Sequence, residues 1–183
     1  MDQKTIKTAL ISVFHKDGLD ELLQQLNAAG VKFLSTGGTH AFIESLGYDC
    51  QKVEDVTTYP SILGGRVKTL HPKIFGGILG RRELDSDQQQ MAEYAIPEID
   101  LVVVDLYPFE QTVASGASAA DIIEKIDIGG ISLIRAGAKN FNDVLIVPSQ
   151  KYYGELIQLL KTQQGETSID DRRRFATYAF GVS

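Results

Sequence analysis

The run of four apolar residues at 101–104, Leu-Val-Val-Val, places the tightest limit on the fold of this chain. Three of the four are β-branched, which is typical of a central parallel strand that helices cover on both faces. Other apolar runs predict strands at residues 6–13, 31–34, 50–53 and 144–147. Because segments with helical spacing separate these runs, the sequence predicts an α/β fold, a three-layer α/β/α sandwich with a mainly parallel sheet.

The intervening segments carry apolar residues at the spacing of a helix. This spacing predicts a helix from residue 19 to Gly30, a second through Phe42 to Gly47, and others over 85–94, 131–140, 152–163 and 170–180. Ser118 to Asp121 resembles a capping box, which predicts a further helix to about residue 126. The sequence Asp-Ile-Gly-Gly at 127–130 is expected to break that helix.

The length of 183 residues, with 43% hydrophobic and 23% charged residues, is ordinary for one globular domain spanning 1–183. No window approaches ~20 consecutive apolar residues and no signal core is present, so we expect a cytoplasmic protein without a membrane partner. The single cysteine, Cys50, excludes an internal disulfide. His15, His40 and His71 show no metal-ligand spacing, and we expect packing, surface or structural roles for them.

A basic segment stands out against the formal net charge of −6. Residues 56–82 contain no Asp or Glu, and within them Arg66, Lys68, His71 and Lys73 follow a pair of glycines. Such an island of positive charge in an acidic chain is expected to bind an anionic ligand, although a solvated basic loop would show the same pattern. The overall acidity argues against a nucleic-acid partner.

The loops after the first two predicted strands carry groups suited to a phosphate. Ser12 and Lys16 follow the first strand, and Thr-Gly-Gly-Thr at 36–39 leads into the second helix. Free backbone N–H groups and the helix dipole at such a point favour an anion. A Gly-Gly turn before a helix is by itself more often only a turn, so the pairing with Lys16 carries this prediction.

Further charged and polar residues are expected at the same edge of the sheet: Arg66, Lys68, Thr69, Asp105, Tyr107, Asp127, Arg135 and Lys139. Arg135 and Lys139 lie four residues apart on one helix face, so they repel each other and need an anion or an acidic partner. Nearby cations and partial burial lower the pKa of a lysine, which favours Lys139 for proton exchange near neutral pH. The same residues also fit plainer roles: two surface cations, a packed aromatic at Tyr107 and a turn at Asp127.

Five short motifs are the most distinctive parts of the chain. They are Thr-Gly-Gly-Thr at 36–39, Leu-Gly-Gly-Arg-Val-Lys-Thr-Leu-His-Pro at 63–72, Leu-Tyr-Pro-Phe at 106–109, Ile-Asp-Ile-Gly-Gly at 126–130 and Ala-Lys-Asn at 138–140. The same motifs stand in the same order in the bifunctional purine biosynthesis proteins. Over nearly its whole length the chain resembles the N-terminal inosine monophosphate (IMP) cyclohydrolase domain of that family.

This resemblance implies a methylglyoxal-synthase-like fold and an activity, the closure of 5-formamidoimidazole-4-carboxamide ribotide (FAICAR) to IMP with loss of water. It also implies no cofactor, no metal, and a homodimer in the full-length protein. Lys139 aligns with the family's catalytic lysine, and Lys68, Tyr107 and Asp127 are expected to assist it by holding an oxyanion and orienting the amide. Residues expected to bind the nucleotide are Ser12, Phe14, Lys16, Thr36, Gly37, Gly38, Thr39, Arg66, Val67, Thr69, Val104, Asp105 and Ile128.

Several features depart from the family pattern. Phe14 stands where many relatives have a small polar residue, Asp105 where many have Asn, and Gly137 where Ala is usual. The chain stops at Ser183, ahead of the family's formyltransferase domain, so we expect a shortened form without formyl transfer. Two other functions share the implied fold, a methylglyoxal synthase and a regulatory nucleotide-binding domain. The loop at 37–39 argues against the first, and a proton-transfer lysine argues against the second.

Overall fold

The computed structural model describes residues 3–183, whose strands form two sheets. The strands are β1 (Lys4–Thr5), β2 (Thr8–Val13), β3 (Lys32–Ser35), β4 (Cys50–Lys52), β5 (Leu101–Asp105), β6 (Leu145–Val147) and β7 (Glu166–Thr167). Five of them, β2 to β6, lie where the apolar runs predict strands. The short antiparallel pair of β1 and β7 has no counterpart in the sequence pattern.

The larger sheet is parallel throughout, in the order β4-β3-β2-β5-β6. Its centre is the pairing of β2 with β5, in which Ala9 lies opposite Leu101 and Val13 lies opposite Asp105. Every residue of β5 is buried. The prediction of a covered strand within a parallel sheet is therefore confirmed.

Ten α-helices lie within the described residues 3–183. They are α1 (Leu19–Ala28), α2 (Gly37–Ser45), α3 (Val53–Thr57), α4 (Pro72–Leu79), α5 (Asp85–Glu93), α6 (Phe109–Ala114), α7 (Ala119–Ile123), α8 (Ile128–Lys139), α9 (Tyr153–Gln163) and α10 (Ile169–Val182). Helical spacing predicts α1, α2, α5, α9 and α10, and most of their predicted ends lie within three residues of the observed ends. It does not predict α3, α4 or α6, which are short or lack a repeating apolar face.

Alternate residues of the central strands face two separate layers of helices. Ile11 and Val103 belong to a core with α1 and α9, whereas Leu10 and Val102 belong to a core with α4, α8 and α10. This alternation follows from the two-residue repeat of a strand. The sheet is covered on both faces, so the three-layer α/β/α fold is confirmed.

The start of α8 differs from the prediction. The Gly-Gly pair at 129–130 does not break a helix but lies in the first turn of α8, and Asp127 caps that turn by accepting a 2.6 Å hydrogen bond from the backbone N–H of Gly130. A side chain at 130 would meet Leu106 at 2.7 Å, so close packing requires glycine there. The predicted helix before it also ends earlier, at Ile123.

The direction of the sheet determines where a ligand can reach it. The carboxyl ends of β2, β3 and β5 lie side by side, and the chain segments that follow them form one edge of the molecule. Ligands of open parallel sheets bind at this edge. Within residues 3–183, none of the helices has the length and apolar character needed to cross a membrane.

Candidate active site

A cavity of about 590 Å³ lies at the carboxyl edge of the sheet. This volume falls within the roughly 300–1,000 Å³ typical of small-molecule sites. The ends of β2 and β5, the amino ends of α2 and α8, and the glycine-containing segment before α4 line the cavity. The structure thus brings together segments that are more than 100 residues apart in the chain.

Most of the residues predicted from the sequence lie in the wall of this cavity. The predicted residues that line it are Ser12, Phe14, Lys16, Thr36, Gly38, Thr39, Arg66, Lys68, Thr69, Asp105, Tyr107, Asp127 and Ile128. Gly37, Val67 and Val104 do not line it but are next to residues that do. Val104 is buried inside β5, where it pairs with Ser12.

One end of the cavity carries groups suited to an anion. The Lys16 ammonium donates hydrogen bonds of 2.7 and 2.9 Å to the backbone carbonyls of Val13 and Phe14. Partial burial lowers the pKa of Lys16, an effect that the negative charge of Asp105 opposes. The amino end of α2 adjoins this lysine, and no side chain caps its backbone N–H groups. Together these donors can bind a phosphate.

The hydroxyls around that helix end hold the site in shape. Thr39 donates a 2.9 Å hydrogen bond to the carbonyl of Val13, which ties α2 to the end of β2. The Thr36 hydroxyl donates to Glu54 of α3 at 2.7 Å. Thr36 therefore offers its backbone, rather than a free hydroxyl hydrogen, to a ligand at α2.

The basic segment divides into a part that faces the cavity and a part that does not. Arg66 and Lys68 line the cavity, and Lys68 passes close to Gly65, whose φ of 87° lies in the left-handed region that favours glycine. Arg66 forms an ion pair with Glu124 beyond α7. His71 instead caps α4 by accepting a 3.1 Å hydrogen bond from the backbone of Lys73, and neither residue lines the cavity.

The other end of the cavity carries aromatic and acidic groups. Phe14 and Tyr107 pack edge to face with ring centroids 5.3 Å apart, and the Lys125 ammonium lies 4.9 Å from the Phe14 ring centre. Burial, and then the charge of Asp127, raise the pKa of Tyr107, so its hydroxyl stays protonated at neutral pH. The side-chain Oδ1 of Asp127 is engaged by α8. The second half of the site is thus suited to a planar, polar group.

Lys139 is not part of this cavity, and its expected position beside the other site residues is not what the structure shows. It is the last residue of α8, whose first residue, Ile128, lines the cavity. At a rise of 1.5 Å per residue the two ends of α8 are about 16 Å apart. The side chain of Lys139 is exposed at the opposite edge of the sheet.

The cavity also contains residues that the sequence did not single out as ligand-binding. Leu70, Ile123, Glu124 and Ile126 contribute apolar and acidic surface. Leu70 and Ile126 stand within two of the five motifs, but as apolar residues they gave no chemical reason to expect ligand contact, and Ile123 and Glu124 lie outside the motifs. His15 does not line the cavity, but its ring lies 2.7 Å from the carboxylate of Asp105, which does, although the sequence predicts a packing or surface role for it.

The described residues offer no cluster for a metal ion: within 3–183, no three His, Cys, Asp or Glu side chains are arranged to hold one. Cys50 is half-buried, and burial raises the pKa of its thiol to about 12. The thiol is therefore protonated at neutral pH and a poor nucleophile.

Fold and cavity together define an α/β domain with a parallel sheet and a pocket lined by basic and polar groups at its carboxyl edge. The chain belongs to the family of MGS-like domains, whose model matches residues 18–132. It is 68% identical over its full length to the bifunctional purine biosynthesis protein PurH of Bacteroides thetaiotaomicron and covers 36% of that protein. It is 49% identical to PurH of Rhodopirellula baltica, with 98% of this chain and 34% of that protein covered.

The chain therefore spans about a third of the length of the curated relatives it matches. A solved structure, the crystal structure of ForH, superposes with a TM-score of 0.81 at 33% identity. The match covers 96% of this chain and 90% of that one.

Proposed function

We propose that this domain is an IMP cyclohydrolase, which closes FAICAR to IMP and releases water. The observation that carries the proposal is that one cavity is lined by two kinds of group, donors suited to an anion at Lys16 and the amino end of α2, and aromatic and acidic side chains at Tyr107 and Asp127. A ribonucleotide has the same division, a phosphate at one end and a base at the other. The relatives named for purine biosynthesis support the same substrate class.

The phosphate of the ribotide would bind at the α2 end. Lys16 supplies a charge, the uncapped N–H groups of α2 supply donors, and Arg66 would turn from Glu124 towards the phosphate. The imidazole and its two substituents would then lie between Phe14, Tyr107 and the amino end of α8. This arrangement needs neither a cofactor nor a metal for the reaction.

Ring closure is an attack within one molecule, so the site accelerates it chiefly by holding a reactive conformation. The carboxamide nitrogen forms a bond to the formyl carbon, and the formyl oxygen becomes an oxyanion that the Lys68 ammonium would stabilise. One proton from the carboxamide nitrogen and one from the formamide nitrogen then leave with that oxygen as water. The protein has to move these two protons but takes up none overall.

Tyr107 and Asp127 are the residues we assign to this proton movement. The Tyr107 hydroxyl would donate to the departing oxygen, and the Asp127 carboxylate would accept an N–H of the substrate. Lys139 has no direct part in this assignment because of its distance from the cavity. We further infer that the longer protein is a cytoplasmic homodimer with no nucleic-acid or membrane partner.

The experiment that tests the function follows IMP formation by ultraviolet absorbance after FAICAR is mixed with the purified chain. We expect turnover, and we expect Lys68→Ala to reduce kcat at least about 100-fold, as is typical when one oxyanion donor is lost. Lys73→Ala is the matched control, because Lys73 lies in the same basic segment but outside the cavity. A folded chain that binds the ribotide and forms no IMP would instead identify a nucleotide-binding module.

A further inference from the structure

His15 and Asp105 form a pair at the edge of the cavity, and His15 has no role in the assignments above. Asp105 is the last residue of β5, and its side chain is only 9% exposed. Its Oδ2 lies 2.7 Å from His15 Nδ1 and also accepts a 3.1 Å hydrogen bond from the backbone N–H of His15. The backbone carbonyl of Asp105 accepts from the N–H of Phe14 at 3.1 Å. One carboxylate oxygen is thus held from two directions.

The second carboxylate oxygen, Oδ1, has a different environment. Within residues 3–183 no hydrogen-bond donor contacts it, and it is not among the buried atoms that lack a partner. Asp105 lines the cavity. Oδ1 is therefore the oxygen that the pair leaves available to a ligand.

The geometry fixes what this oxygen can bind. An ionised carboxylate accepts hydrogen bonds and donates none, so Nδ1 of His15 carries the hydrogen of their contact. With Oδ2 occupied in this way, the carboxylate cannot rotate freely, and Oδ1 keeps one direction. It would accept an N–H and repel a second anion.

We propose that His15 is a positioning residue that holds the Asp105 carboxylate so that Oδ1 receives an N–H of the ligand's carboxamide group. The proposal rests on the proposed function for the identity of the ligand. It makes the pair a specificity device: a ribotide with a 4-carboxamide is accepted, and one with a 4-carboxylate is rejected. His15 acts through Asp105 and does not itself touch the ligand.

Direct binding measurements test this assignment without requiring turnover. Calorimetry would compare 5-aminoimidazole-4-carboxamide ribotide with the matching 4-carboxylate ribotide, neither of which has the formyl group needed for ring closure. We expect the wild-type chain to bind the carboxamide at least about tenfold more tightly, the size of one charge-assisted hydrogen bond. Equal affinity for the two ribotides would overturn the proposal.

Variants of His15 separate positioning from simple packing. His15→Ala should weaken carboxamide binding about tenfold and remove the preference, because Oδ2 loses the ring donor. His15→Asn should restore both, since its amide N–H occupies nearly the place of Nδ1. If His15→Asn loses the affinity and the preference as His15→Ala does, the ring matters only through its edge-to-face contact with Phe14, and the proposal is wrong.

Two further measurements keep the result unambiguous. Asp105→Asn keeps the side-chain shape and should abolish the preference even if His15→Ala does not fold. Glu44→Gln, which alters the His40–Glu44 pair outside the cavity, should change neither affinity. Discrimination between the ribotides without IMP formation from FAICAR would refute the cyclohydrolase and support the His15–Asp105 assignment. IMP formation from FAICAR without discrimination between the ribotides would support the cyclohydrolase and refute the His15–Asp105 assignment.

Discussion

At the scale of single residues, the position of Lys139 changes the expected chemistry. Its motif and its spacing from Arg135 favour a proton-transfer role, but the residue lies at the far end of α8 from the cavity. The order of elements explains this. α8 precedes β6, so it runs antiparallel to the strands and ends at their amino edge. A family motif and a shared helix face do not by themselves say which end of a sheet a residue reaches.

We accordingly expect Lys139→Ala to keep kcat for IMP formation within about threefold, because Lys139 makes no contact in the cavity and a tenfold loss would need a contact worth about 1.4 kcal/mol in the transition state. The check is the absorbance assay with FAICAR, run beside Lys68→Ala. Circular dichroism would confirm that both variants are folded. A loss as large as that of Lys68→Ala would restore the proton-transfer role that the sequence predicts.

A second residue, Asp100, holds the amino edge of the central sheet. Its Oδ2 accepts 2.8 Å hydrogen bonds from the backbone N–H groups of Lys7 and Thr8, and its Oδ1 accepts one of 2.5 Å from Arg82. Asp100 is 6% exposed, and the side chain of Arg82 is 11% exposed. The carboxylate thus satisfies a nearly buried charge and two backbone donors at once.

Replacement of Asp100 by Ala should lower the free energy of unfolding by about 3–5 kcal/mol, because it leaves Arg82 buried without this partner. Urea unfolding monitored by circular dichroism would measure the change. Asp170→Ala is the control, since it also removes an arginine partner, but from an exposed pair with Arg173. A decrease in unfolding free energy as small as that of the control variant would show that the Arg82 guanidinium is hydrated or pairs with Glu98 instead.

At the scale of elements, the packing of α8 against β6 depends on Gly137. A Cβ atom at this position would lie 2.9 Å from Cβ of Ile146, closer than side-chain carbons approach each other. The helix therefore lies close to the strand. The close approach of Ile146 accounts for glycine at position 137, where relatives usually have Ala.

We expect Gly137→Ala to destabilise the chain by about 1–3 kcal/mol through overpacking. Gly154→Ala provides the contrast, because position 154 in α9 has open space around it and should gain about 0.5–1 kcal/mol from helix propensity. Thermal unfolding of both variants tests the pair. Stabilisation by both would mean that α8 can move away from β6 without cost.

The elements also show how far the sequence could predict this molecule. The five strands of the large sheet follow from apolar runs, and the binding edge follows from the polar residues after them, because local pattern determines both. The start of α8 could not be predicted, since the Asp127 cap and the close approach of Leu106 to Gly130 depend on the packed structure rather than on local pattern. The His15–Asp105 pair could not either, because its members are 90 residues apart.

At the scale of the whole molecule, acid should weaken the fold through carboxylates that are ionised more easily in the folded state. Hydrogen bonds from Arg81 lower the pKa of Asp87 to about 2. Asp171 caps α10 with Ser168; burial acts to raise the pKa of its carboxyl, but the hydrogen bonds from Ser168, Gln163 and Arg174 together outweigh burial and lower that pKa. A lowered pKa means that the ionised group stabilises the folded chain.

The sign of the pH dependence follows from these shifts. The contribution of each carboxylate is complete above its unfolded pKa, near 3.8, and is lost as the pH falls through the lower folded value. For Asp87 this window runs from about pH 4 to about pH 2. The unfolding midpoint in urea should therefore decrease in this range for the wild-type chain.

Asp171→Asn gives the sharper test, because it removes the charge while keeping a side chain of the same shape at the capping position. Its unfolding temperature should lie below that of the wild-type chain at pH 7, and the difference should narrow as the pH falls below 3.8, where the wild-type carboxyl also becomes neutral. Scanning calorimetry from pH 7 to pH 2.5 would measure the two curves. A difference that stays constant with pH would show that Asp171 stabilises α10 by its shape and hydrogen bonds alone, and not by its charge.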